Sequence, residues 1–191
     1  MPISLASRHR ILPDRNFPAY AYLPGRQPHP ARDPAGHSYG IEPPAVAIEE
    51  ALWSEEFHWG IDLFNHGYYW EAHEAWEGLW HAAKGNTGNR LFFKGLILLA
   101  AAGVKIRENK RPAAARHASR AGTTLRQLPP GSDRLLAIAI GMPPAMLVEM
   151  AQAVIEIAVF KTPDLVVPEP VFPFILRPNA SKDDQNTSDD A

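Results

Sequence analysis

Phe64-Asn65-His66-Gly67-Tyr68-Tyr69-Trp70-Glu71-Ala72-His73-Glu74-Ala75-Trp76-Glu77-Gly78-Leu79-Trp80 joins the end of one predicted helix to the whole of the next. Its second part packs Trp70, Trp76, Trp80, His73 and three glutamates into about four turns. At roughly 100° per residue, Tyr69, Ala72, Trp76, Leu79, Trp80 and Ala83 share one broad apolar arc. Glu71, Glu74 and Gly78 lie opposite, facing water or whatever element covers the helix. His73 and Glu77 sit at the edge of the arc, four residues apart and therefore surface neighbours, flanked by Trp70 and Trp80. Such a pair can be a structural hydrogen bond, half of a metal site or an acid/base couple. A metal site needs three or four ligands and this helix offers two, so the structural reading is the simplest.

The rest of the chain supports a helical body. Its 191 residues suffice for one well-buried core. The formal net charge of −2 suggests neither a nucleic-acid nor a membrane partner. With no cysteine there are no disulfides, thiolate metal sites or cysteine nucleophiles. Pro2, Pro13 and Pro18 interrupt any signal-like region, and the most apolar run, Leu96 to Val104, is too short to span a bilayer. A cytoplasmic protein is the expectation.

Residues 1–44 are proline-rich and aperiodic, because each proline removes a donor and biases its predecessor toward extended backbone. Phe17, Tyr20, Tyr22 and Tyr39 argue against plain disorder, so this segment is expected to be an extended arm lying on the body. Within it His29, Asp33 and His37 recur every fourth residue; outside a helix that spacing carries no facing information. A first helix is predicted over about 45–66, stopped by Gly67, with Ile48, Leu52, Phe57, Trp59, Ile61, Leu63 and Phe64 as its apolar set. Glu55 and His58 spell Glu-x-x-His once, where a diiron bundle requires it twice with two further glutamates.

The second helix runs to about Ala83. A short glycine-rich loop turns the chain back into a third helix over about 90–107, apolar almost all round and so central. Its Lys94 and Lys105 fall on one stripe, and a lysine there must pair or snorkel. Glu71, Glu74 or Glu77 are the natural partners for Lys94. A fourth, alanine-rich helix follows over about 112–127. Aligning Gly67 with Asn109 superposes Ala72 on Ala114, Trp76 on Ala118 and Leu79 on Ala121, a faint echo of two stacked hairpins. Ser132 to Met142 reads as one short turn ended by Gly141, and Pro144 opens a last helix to about Phe160, with Met146, Leu147, Met150, Val154 and Ile157 inward. The expected fold is all-α: a multihelical bundle of two antiparallel helical hairpins plus a C-terminal helix, with extended Pro-rich N- and C-terminal arms. The body spans 45–160, a hydrophobic extended tail 161–178 and a disordered acidic tail 179–191.

Charge is segregated. Glu42 to Trp80 contains Glu49, Glu50, Glu55, Glu56, Asp62, Glu71, Glu74 and Glu77 and no Lys or Arg, while Lys105 to Arg126 is basic. Mutual neutralisation within the bundle is the simpler reading; nucleic-acid binding is disfavoured because no aromatics interleave the basic residues.

The pattern Phe64-Asn65-x-Gly67-x-Tyr69-x-Glu71-Ala72-His73-Glu74 through Trp80, followed by Lys94-Gly95-Leu96-Ile97 and an alanine-rich run, resembles the DUF309 family. The arm residues Leu23-Pro24-Gly25, Pro28-His29-Pro30, Asp33 and Gly36-His37-Ser38-Tyr39-Gly40 resemble a proteobacterial branch of it. The resemblance covers about 18–127, with a family-like core at about 50–127. It implies a helical bundle and brings no established activity, substrate or cofactor. It also directs attention to Glu71, His73, Glu74 and Glu77 together: if the arm covers the outer face of the helix, His29, Asp33 or His37 would approach Glu71, Glu74 or His73 in a closed polar pocket.

The functional expectation is a binding or interaction module, with Glu71, His73, Glu74, Glu77, Trp80, Lys94, His29, Asp33 and His37 as its ligand or polar network between the second and third helices. It would engage an unknown protein or small-molecule partner, or itself, as a homo-oligomer, through exposed aromatics. The alternative is a metal-binding or acid/base enzyme using His73 and Glu77, with Lys94 as anion anchor. No cofactor is predicted; a divalent metal at His73 and Glu77 is the reserve. No Gly-rich phosphate loop, serine elbow or His-Glu-x-x-His helix is present.

Overall fold

A computed structural model describes residues 8–42, 46–157 and 167–179. Among the described residues six α-helices make up the body: α1 (Glu55–Asn65), α2 (Tyr69–Ala82), α3 (Thr87–Arg107), α4 (Arg111–Leu125), α5 (Asp133–Ile140) and α6 (Pro144–Ile157). No strand occurs among the described residues. Helix α1 packs on α2, α2 on α3, α3 on α4, and α6 returns onto α4. The fold is all-α and multihelical. The expected end of the last helix at 160, the inward side chains of Val154 and Ile157, the tail over 161–166 and the acidic stretch 180–191 lie outside the described residues, as do Pro43, Pro44 and the side chain of Ile48.

The reversals follow from backbone chemistry. Gly67 (φ 89°) and Asn109 (φ 57°) both take the left-handed conformation that closes a helix, the first after α1 and the second after α3. The first helix does not start at 45. A single 3-10 turn covers Ile48–Glu50, and α1 begins at Glu55 because the Ser54 hydroxyl accepts from the Phe57 amide. Glu55 and Glu56 in the first turn then favour the positive end of the helix dipole. Helix α3 starts at Thr87, three residues ahead of expectation, because the Asn86 side chain accepts from the Asn89 amide. The stretch expected to be a single turn before Gly141 is the two-turn α5, ended by Gly141 at φ 75°.

Phe57, Phe64, Tyr69, Trp76, Phe92 and Phe93 are fully buried at the meeting of α1, α2 and α3, each worth about 1.5–3 kcal/mol of apolar burial. Contact between α1 and α2 is so close at Gly60 that a Cβ there would collide with the Trp76 indole. The Trp76 Nε1 donates to the Phe57 carbonyl at 3.4 Å.

Both arms are pinned to this hairpin by buried polar side chains acting on backbone. Asp62, fully buried, accepts from the Ile11 and Leu12 amides at 2.8 Å each. Asn65 donates to the Leu176 carbonyl at 2.7 Å and accepts from the Leu176 amide at 2.9 Å, replacing a strand neighbour. The Tyr69 hydroxyl accepts from the Val171 amide at 2.7 Å, and burial pushes that phenol up to about 12. Phe172, Phe174 and Leu176 fill the core beneath. Arg107, 1% exposed, reaches the carbonyls of Gly67 and Val167.

Candidate functional site

The outer face of α2 is not solvent. Glu71 is only 5% exposed, because residues 17–41 fold over it. Its Oε1 accepts from the Tyr22 amide at 2.8 Å and lies 3.2 Å from His37 Nε2. His37 Nδ1 is 2.9 Å from the Ser38 hydroxyl, and a tautomer protonated at Nε2 satisfies both contacts. Glu71 Oε2 is buried without a hydrogen-bond partner among the described residues. Of the two surroundings expected for Glu71, water or a covering element, the structure shows the second: the arm supplies a backbone donor and an imidazole, and aromatic contacts hold the arm down. Phe17 stacks on Tyr68 at 4.8 Å and on Trp59 at 5.6 Å, while Tyr22 meets Trp70 edge-on at 4.9 Å.

Beside Glu71 opens a groove of about 560 Å³, within the range of small-molecule sites. Arm residues Pro18, Ala31, His37, Ser38 and Ile41 form one wall, Glu56, Trp59 and Leu63 of α1 a second, and Glu74, Ala75, Glu77, Gly78, Leu79 and His81 of α2 the floor. Gly78 leaves the floor open, since nothing lies within 4 Å of where its Cβ would be. Burial raises the Glu74 carboxyl above its ordinary value, with the charges of Glu71 and Glu77 acting in the same sense.

The remaining predicted residues divide into two groups. His29 stands against Tyr22 and Trp70, ring centroids 5.3 and 5.5 Å away, and its Nδ1 accepts from the Ala31 amide. Asp33 turns back on its own loop to accept from the Ala35 amide at 2.9 Å. The arm thus brings His37, rather than His29 or Asp33, onto a glutamate of α2. At the seam between α2 and α3, His73 Nε2 and Glu77 Oε2 are 3.9 Å apart, beyond a hydrogen bond, and the His73 ring lies parallel to Trp70. Burial lowers the His73 pKa; Glu77 opposes that shift and Lys94 adds to it.

Lys94 does not pair with Glu71, Glu74 or Glu77. Its ammonium lies 4.8 Å over the Trp80 ring, which also receives the Arg90 guanidinium at 4.2 Å. The hydrogen-bonded network accordingly lies between the arm and α2, not between α2 and α3. Among the described residues no group of three or more His, Cys, Asp or Glu side chains is placed to hold a metal ion. Sequence reasoning passed over Tyr22, Trp59, Glu56 and His81, for which only the folded arm provides a signal. It also passed over His117, whose pKa is lowered by burial and then by Arg120, Lys105, Arg116 and His73.

Residues 57–117 match DUF309, a domain of unknown function. The match supports the family resemblance read from the α2 motif. It runs from Phe57 in α1 to His117 in α4, so the DUF309 segment contains the α2 side of the groove and Trp59 and Leu63 of its α1 side, but neither Glu56 nor the arm that closes it. No curated protein and no solved structure matches the chain.

Proposed function

We propose that the chain is a binding module whose ligand seat is the groove between the N-terminal arm and the α1–α2 hairpin of the DUF309 segment. The observation that supports it is the state of Glu71: a carboxylate 5% exposed, one oxygen held by the arm and the other without a donor among the described residues, at the wall of a 560 Å³ groove. Buried polar atoms in folded proteins are almost always paired, so an unpaired carboxylate oxygen beside an open groove marks a place where a ligand completes the set. The reading requires no cofactor and invokes neither nucleic acid nor membrane. Among the described residues no helix is long and apolar enough to cross a bilayer.

Self-association through exposed aromatics has less support, because Trp59, Trp70, Trp76 and Trp80 turn inward or are partly covered, leaving Tyr39 and Trp53 as the well-exposed aromatic rings among the described residues. The His73/Glu77 enzyme reading lacks a close pair and, among the described residues, a third ligand.

The test is a fragment screen by protein-detected NMR on the full chain, with cationic, neutral and anionic aromatic fragments. Hits should shift the Trp59 indole and the Tyr22 amide, and Gly78→Trp, which fills the floor, should remove them while leaving thermal stability unchanged. Hits that shift other surfaces, or that survive Gly78→Trp, would overturn the proposal.

A further inference from the structure

We infer that the groove takes an organic cation: an ammonium group carried on an apolar body. This rests on the binding reading above and adds the ligand's charge and shape. Four carboxylates line the groove, Glu56, Glu71, Glu74 and Glu77, against a single Arg or Lys, Arg15. The Arg15 guanidinium is already engaged with Glu55 at 3.0 Å and lies 4.5 Å over the Trp59 ring. Of the two imidazoles in the lining, His37 and His81, the first is committed to Glu71 and Ser38.

The acidic lining alone would be a solvated surface. What makes it a site is Glu71, nineteen-twentieths buried, whose Oε2 has no donor among the described residues while its Oε1 already has two neighbours. The missing component is a hydrogen-bond donor carrying positive charge. An ammonium has three donors and no acceptor, so it can serve more than one carboxylate at once, which a hydroxyl cannot. Glu74 reinforces this choice. It sits one turn from Glu71 on the same face, and the two like charges repel unless a cation stands between them.

The remaining wall is apolar. Trp59, whose ring already carries Phe17 and the Arg15 guanidinium, offers hydrocarbon rather than a donor, as do Leu63, Ala75 and Leu79, so the ligand's body is apolar and its head alone is charged. An inorganic cation would leave that wall uncovered, and an anion would meet four carboxylates.

The experiment is isothermal titration of the full chain at neutral pH with 3-phenylpropylamine and with 3-phenylpropan-1-ol, which share a body and differ in the head group. Hydrogen bonds to charged groups contribute about 1.5–3 kcal/mol, so the amine should bind about 10- to 100-fold more tightly. Glu74→Gln, which keeps the volume and removes the charge, should cost the amine about tenfold and leave the alcohol unchanged. Equal affinity for amine and alcohol would overturn the cation inference while leaving the groove as the binding site. Binding of neither would remove both. Amine binding insensitive to both Glu74→Gln and Gly78→Trp would place the cation elsewhere and equally refute the inference.

Discussion

Replacing Glu71 with alanine tests the connection between arm and body. The variant removes the acceptor of the Tyr22 amide at 2.8 Å and the partner of His37 at 3.2 Å, both at a side chain shut off from water. A hydrogen bond to a charged group contributes about 1.5–3 kcal/mol and an abandoned buried donor costs about 1–3 kcal/mol. The sum is limited by an escape route: the arm can lift and expose Tyr22 and Leu23, now 7% and 1% exposed. We expect a loss of about 3–5 kcal/mol, the range for breaking a buried pair. At about 2–4 °C per kcal/mol for a chain of this size, the melting temperature should drop by about 10 °C. Glu71→Gln keeps an acceptor for Tyr22 and should cost about 1 kcal/mol. Calorimetry gives the loss, and amide exchange locates it: the Tyr22 amide, slow in the parent, should exchange at the rate of an open arm in the alanine variant. A melting temperature within about 2 °C of the parent, with Tyr22 still protected, would refute the claim that Glu71 holds the arm.

Asn65→Asp keeps the acceptor for the Leu176 amide but sets a carboxylate against the Leu176 carbonyl; urea unfolding should show a loss of about 1–3 kcal/mol, and tail residues 171–177 should become accessible to protease. Gly60→Ala drives a methyl into the Trp76 indole and should cost about 1–3 kcal/mol by overpacking, read as a lower urea midpoint. His117 has a folded-state pKa below its unfolded value, so the unfolded chain binds the proton more readily and stability should fall as pH drops below about 6.5. His117→Gln should flatten the change in urea midpoint between neutral and mildly acid buffer, and an unchanged slope would show that this imidazole is not the cause.

The helical body was legible because its signals are local. The period of α2 and α3, Gly67 and Asn109 as stops, and Gly141 before the last helix each act within a turn or two of chain. Where the start of α1 was missed, a local signal was also present, in Ser54 followed by Glu55 and Glu56, but the apolar pattern running back to Leu52 masked it. The partners of Glu71, Asp62 and Lys94 are not local. Counting charges suggested that the acidic first half neutralises the basic α4, whereas Asp62 and Glu71 are spent on backbone amides of an arm about 50 residues away in sequence, and Lys94 on the Trp80 face. No periodicity reports a contact between an aperiodic segment and a helix. The spacing of His29, Asp33 and His37 carries no facing information, and only the folded arm sorts them: His37 meets Glu71, His29 stands against Trp70, and Asp33 turns back onto its own loop.

A crystal of the full chain soaked with 3-phenylpropylamine tests the central claim most directly. The account predicts the phenyl ring against Trp59 and Leu63 and the ammonium within hydrogen-bonding reach of Glu71 and Glu74. An empty groove at a concentration that saturates binding in solution, or the amine seated on another surface, would contradict it.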